Sequence, residues 1–135
     1  IRQSALSIRE LYVGRKVTAI FQPHLYSRTQ DFYREFAESL SLFDEVILTD
    51  IYPAREAPIP GVTSALIYDN LAPHVQKQMI GKDDVLAAVE ARKSELEILV
   101  TLGAGDIENY ASDIVKILKN WGDILELLTL ELLKG

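Results

Sequence analysis

The chain has 135 residues, 48% apolar and 25% charged, the balance of one globular domain. Against 20 Asp and Glu stand only 14 Lys and Arg, and the net charge of −6 argues against non-specific binding to nucleic acid or to an anionic membrane surface. There is no cysteine, which excludes disulfides and thiolate metal sites, and two isolated histidines, His24 and His74, are too few for an ordinary zinc site, so no metal site is expected.

The elements alternate from end to end. Ile1, Ala5, Ile8 and Tyr12 follow helical spacing, and Gly14 is placed to stop that helix at the position after its cap. Val17-Thr18-Ala19-Ile20-Phe21 is an unbroken β-branched and aromatic run, as in a strand buried on both faces. Pro23 ends it. Thr29 is read as the cap of a helix whose Phe32, Phe36 and Leu40 repeat every fourth residue. Residues 45–49 form a second buried strand, and Pro53, Pro58 and Pro60 keep the following loop irregular. Thr63 or Ser64 opens a short helix with Leu66 and Ile67. Residues 75–80 are a weaker strand. Asp83 or Asp84 starts a helix through Val85, Leu86 and Val89. Residues 98–102 are a third strong strand, followed by a helix carrying Ile107, Tyr110, Ala111, Ile114 and Leu118 on one face. The Leu-rich tail from Ile124 to Leu133 has no clean period and is read as a final helix packed on the sheet.

This alternation predicts an α/β, Rossmann-like domain over residues 1–135, with a mostly parallel sheet and helices on both faces. Ligands of such sheets sit at the carboxyl ends of the strands, so three loops matter. The first, Gln22 to Thr29, enters a helix start, where free N–H groups and the dipole favour an anion. Arg28 can grip a carboxylate or phosphate with two bonds, and His24 can donate beside it. By spacing alone a plainer reading competes, in which Arg28 pairs with Asp31 and His24 satisfies loop carbonyls. In the second loop, Asp50 ends a strand, where a carboxylate can meet a ribose, an ammonium or Mg²⁺; Arg55 and Glu56 read most simply as a solvated ion pair. In the third, Gly103 and Gly105 let backbone approach a ligand and Asp106 can cap the helix, but the third glycine of a dinucleotide fingerprint would fall at Glu108, which rejects a standard NAD site. No P-loop is present: Gly81-Lys82 would need a glycine at 76 and has Gln76. No nucleophile elbow or triad is visible, so no residue is assigned as catalytic. No apolar run approaches the ~18 residues of a membrane span, and Ile1 to Ser4 shows neither a signal peptide nor an initiator Met, so a cytoplasmic piece of a longer protein is expected.

The stretch Phe21 to Thr29, with Asp31-Phe32, Phe36-Ala37, Asp44 to Ile59 and Gly103 to Ile107, resembles the Mur ligase family. Within it the chain is most similar to members that join L-alanine to UDP-N-acetylmuramate. The resemblance implies the C-terminal, amino-acid-binding domain, with an N-terminal UDP-sugar domain and a central ATPase domain absent. It also implies a ligase reaction through an acyl phosphate in cell-wall precursor synthesis. ATP and Mg²⁺ would be bound mainly by the absent domains, and this piece alone would be inactive. It raises His24, Arg28 and Thr29 as binding residues for the amino acid or phosphate, with Asp50, Glu56, Gly103, Gly105 and Asp106 lining or shaping the cleft. Leu25 stands where some members carry a second arginine. Two alternatives remain: a relative that adds a recycled tripeptide to the same UDP-sugar, and a non-catalytic α/β binding module.

Overall fold

The computed structural model describes residues 1–103, 105–118 and 126–130. The chain order is α1 (Arg2–Leu11), β1 (Val17–Gln22), α2 (Tyr26–Leu40), β2 (Glu45–Leu48), α3 (Ala65–Tyr68), β3 (Gln76–Met79), a 3₁₀ turn (Lys82–Asp84), α4 (Val85–Arg92), β4 (Ile98–Gly103), α5 (Asp106–Leu118) and β5 (Glu126–Leu130). The strands form one sheet in the order β3-β2-β1-β4-β5, and every pairing is parallel. The predicted α/β architecture is therefore present. The chain winds outward from β1 to β3, then returns to the other side of β1 for β4, which puts the topological switch point between β1 and β4.

The two-faced burial read from the apolar runs is realised. Every residue of β1, β2 and β4 is buried. Alternate residues feed opposite layers, as the two-residue strand period requires. Val17, Ala19, Phe21, Val46, Leu48 and Val100 pack with Ala5 and Ile8 of α1 and Ala37 and Leu40 of α2. Ile20, Ile47 and Leu99 pack instead with Val85 and Val89 of α4 and Ile107 and Ile114 of α5. Each such side chain taken fully from water contributes about 1.5–3 kcal/mol. The weakly signalled β3 is an edge strand whose four residues are all exposed. Its signal was weak because no layer covers it.

Several boundaries differ from the sequence reading. Gly14 has the positive φ (+79°) that favours glycine, but α1 is capped at Tyr12, so Gly14 lies one residue beyond the predicted place. Helix α2 begins at Tyr26, and Thr29 is inside its first turn rather than its cap; the Thr29 hydroxyl donates to the Leu25 carbonyl at 2.9 Å. Phe32, expected on the inner face, is 46% exposed, whereas Phe36 and Leu40 pack on the core. The tail is corrected more deeply. Residues 126–130 form a strand parallel to β4, not a helix; the rest of that stretch lies outside the described residues. The open edge of β4 presents N–H and C=O groups that need partners, and a Leu-rich run without helical period supplies them. Among the described residues no helix is long and apolar enough to cross a membrane.

Candidate functional site

The carboxyl ends of β1, β2 and β4 are tied together by the chain's own side chains. Gln22, the last residue of β1, is buried, and its side-chain amide is used at both ends. Its Nε2 donates to the Asp106 carboxylate at 3.0 Å, and its Oε1 accepts the Ile107 N–H at 2.9 Å. Gln22 thus fills the capping role expected of Asp106, whose carboxylate instead meets Gln22 and, at 3.4 Å, the Lys82 ammonium. Hydrogen bonding and charge from Asp106 hold the Lys82 pKa above its usual value. Gly103 has a φ of +133°, and a Cβ there would stand 2.6 Å from the Gln22 carbonyl. The absent side chain admits β1's own backbone, not a ligand.

The loops after β1 and β2 are joined by a parallel bridge between His24 and Tyr52. Leu25 N–H donates to the Tyr52 carbonyl and Tyr52 N–H to the Pro23 carbonyl, each at 2.8 Å. The rings of His24 and Tyr52 stack at 5.8 Å with planes 14° apart. On the loop after β4, a Cβ at Gly105 (φ +97°) would meet the Tyr52 ring at 2.5 Å. Tyr52 therefore joins His24 to Gly105, so all three loops meet at this ring. Sequence reading passed over both Tyr52 and Gln22; their only signal was a position at a strand's carboxyl end. Leu25, at the helix N-cap, is held at φ +70°, a region costly for a non-glycine residue.

The start of α2 is not an open anion site. The Glu56 carboxylate accepts the Ser27 N–H at 3.0 Å and also the Ser27 hydroxyl. These bonds hold the Glu56 carboxyl below its usual range. The expected Arg55–Glu56 ion pair is thus replaced by a cap donated from the second loop. Arg28 is half-buried in the same first turn, its guanidinium 5.9 Å from the Phe32 ring centroid. Among the described residues it forms no salt bridge, so the Asp31 pairing is not made. Thr29 is buried, and its hydroxyl donates to the chain's own Leu25 carbonyl.

Asp50 is separate from this cluster. It is exposed, accepts the Lys82 N–H at 3.4 Å, and lines a cleft of about 440 Å³ at the carboxyl ends of β2 and β3. The structure therefore gathers His24, Gly103, Gly105 and Asp106 around Gln22 and Tyr52, adds Arg28 and Glu56 at the start of α2, and leaves Asp50 in a cleft of its own.

Among the described residues the strand-end loops offer no open backbone cradle for a triphosphate. Among the described residues no cluster of three or more His, Asp or Glu can hold a metal ion. Both loop glycines face the chain's own groups, and a carboxylate already caps α2.

No family model matches the chain. It is similar to three curated proteins that share the name UDP-N-acetylmuramate–L-alanine ligase. It is 60% identical to that of Phocaeicola vulgatus over 118 residues, 87% of this chain and 25% of the relative. It is 53% identical to that of Parabacteroides distasonis over 118 residues, again 87% and 25%. It is 53% identical to that of Flavobacterium johnsoniae over 112 residues, 83% and 24%. The chain spans about a quarter of the length of the relatives it matches.

Proposed function

We propose that the chain belongs to the Mur ligase family and is the C-terminal, amino-acid-binding domain of a UDP-N-acetylmuramate–L-alanine ligase. In this reading the complete cytoplasmic protein joins the amine of L-alanine to an activated lactyl carboxylate of UDP-N-acetylmuramate. ATP and Mg²⁺ are held by other domains of the same protein, and the residues described here take no step of the phosphoryl chemistry. Their work is positioning: holding one reactant in line with the other when the domains close. The isolated domain has no turnover.

Arg28 carries the reading. A cation in the first turn of a helix is disfavoured by the macrodipole, yet Arg28 sits there half-buried and, among the described residues, without a carboxylate. An amino acid brings that carboxylate, which the planar guanidinium grips with two charge-assisted bonds. Glu56 offsets the helix end and leaves Arg28 available to the substrate. His24, fixed by its stack on Tyr52, orients the amino acid or the departing phosphate.

The test is phosphate release by the full-length protein with ATP, Mg²⁺, UDP-N-acetylmuramate and L-alanine. Turnover should depend on L-alanine. Arg28→Ala should raise KM for L-alanine by about tenfold or more, the loss of a charge-assisted pair, with a smaller effect on KM for ATP. An unchanged KM for L-alanine removes Arg28 from the site. Turnover with a tripeptide but not with L-alanine moves the chain to the recycling member of the family.

A further inference from the structure

The cleft beside Asp50 has no part in the amino-acid reading and is argued independently of it. Its volume of about 440 Å³ falls within the roughly 300–1,000 Å³ typical of small-molecule sites. Its walls are largely apolar, with Ile51, Val62, Met79 and Ile80 among the lining residues beside Tyr26, and Asp50 brings a carboxylate to them.

Position within the fold gives this combination its meaning. In doubly wound sheets that bind dinucleotides, the pyrophosphate rests on the helix after the first strand, and an acidic residue ending the second strand takes the ribose hydroxyls. Asp50 occupies that second position, two residues past the end of β2. The first position is closed to phosphate. The turn from Pro23 to Leu25 has no glycine, and Glu56 already places a carboxylate on the first N–H groups of α2. Tyr26, the first residue of α2, lines the cleft and is adjacent to the Ser27 that Glu56 binds, so a group leaving the cleft past Tyr26 meets that negative charge. The sheet thus offers the nucleoside half of such a site and fills the phosphate half itself.

We infer that this cleft binds an uncharged purine nucleoside, its base against the apolar wall of Ile51, Val62, Met79 and Ile80 and its ribose hydroxyls donating to Asp50. Phosphorylated nucleosides are discriminated against by Glu56.

The inference is tested by calorimetric titration of adenosine into the full-length protein. The protein is first saturated with a non-hydrolysable ATP analogue and Mg²⁺, so that any triphosphate site elsewhere is filled. Adenosine should bind at one site. Asp50→Ala, or 2′,3′-dideoxyadenosine in place of adenosine, should each weaken binding by about tenfold, as expected for lost hydrogen bonds to a charged group. AMP should bind less tightly than adenosine, and Glu56→Gln should narrow that gap. No binding at millimolar adenosine, or binding indifferent to Asp50→Ala, overturns the site. AMP binding as tightly as adenosine overturns the exclusion of phosphate.

Discussion

The two edges of the sheet differ in how fully their charges are matched. At the amino edge the carboxylates are matched. Glu45, only 6% exposed, takes two bonds from the Arg92 guanidinium, one from the Thr18 hydroxyl at 3.1 Å, and lies 3.7 Å from the Lys16 ammonium. Asp44 takes Arg9 at 2.7 Å and the Val17 N–H at 2.8 Å, and Glu97 takes Arg15 at 3.0 Å. At the carboxyl edge, Glu56 goes to the Ser27 N–H and hydroxyl, Asp106 is shared between the Gln22 amide and the Lys82 ammonium, and Arg28 keeps no carboxylate among the described residues. Charges satisfied internally hold a fold together. A cation without a carboxylate is available to that of a ligand, and its removal should alter binding more than stability.

The sharpest test of this contrast is Glu45→Ala. Breaking a buried pair leaves the Arg92 guanidinium with only the exposed Glu95 as its carboxylate, at an expected cost of about 3 kcal/mol in urea unfolding, with KM for L-alanine unchanged in the full-length protein. A loss below 1 kcal/mol would make the amino-edge network ornamental. Next, Gly105→Ala forces a side chain into the Tyr52 ring at a φ of +97°, and should cost about 2 kcal/mol while raising KM for L-alanine. If stability falls but KM does not, the loop junction is only structural.

Acid should act through the same amino edge. Burial raises the Glu45 carboxyl, but hydrogen bonds and charge from Arg92, with help from Thr18 and Lys16, outweigh it and leave the pKa below 4.5. A depressed folded pKa gives stability that is present above about pH 4.5 and lost as pH falls through the folded value. Glu45→Gln should therefore flatten the acid limb of a stability–pH curve measured by thermal unfolding; an unchanged limb would assign acid sensitivity to other groups. The smallest stability effect belongs to Arg28→Ala, which should leave unfolding within about 0.5 kcal/mol of the parent while weakening the use of L-alanine. A large stability loss would place Arg28 with the amino-edge charges instead.

Much of the fold was legible because burial on both faces leaves a plain trace. Runs rich in β-branched and apolar residues, without polar alternation, at 17–21, 46–48 and 98–102 are hard to place anywhere but in the centre of a parallel sheet. The tail was misread because Leu suits helix and strand alike, and the open edge of β4 decided between them. The start of α2 was misread because capping was sought next to the helix in sequence, whereas Glu56 arrives from 29 residues away. The same holds for α5, which Gln22 meets across 85 residues.

The sequence by itself determined the strands β1 to β4, the order of helices and strands as far as α5, the three loops at the strands' carboxyl ends, and the resemblance that relatives up to 60% identical bear out. These follow from local pattern: periodicity, turn residues and motif. Only the tertiary structure decided which groups within those loops remain available. It filled the helix start with Glu56, set Tyr52 between His24 and Gly105, turned both loop glycines toward the chain's own atoms, and left Arg28 without a carboxylate among the described residues. The reason is physical: a hydrogen bond or ring contact depends on distance in space, and the parallel sheet brings together strand ends that are dozens of residues apart in sequence.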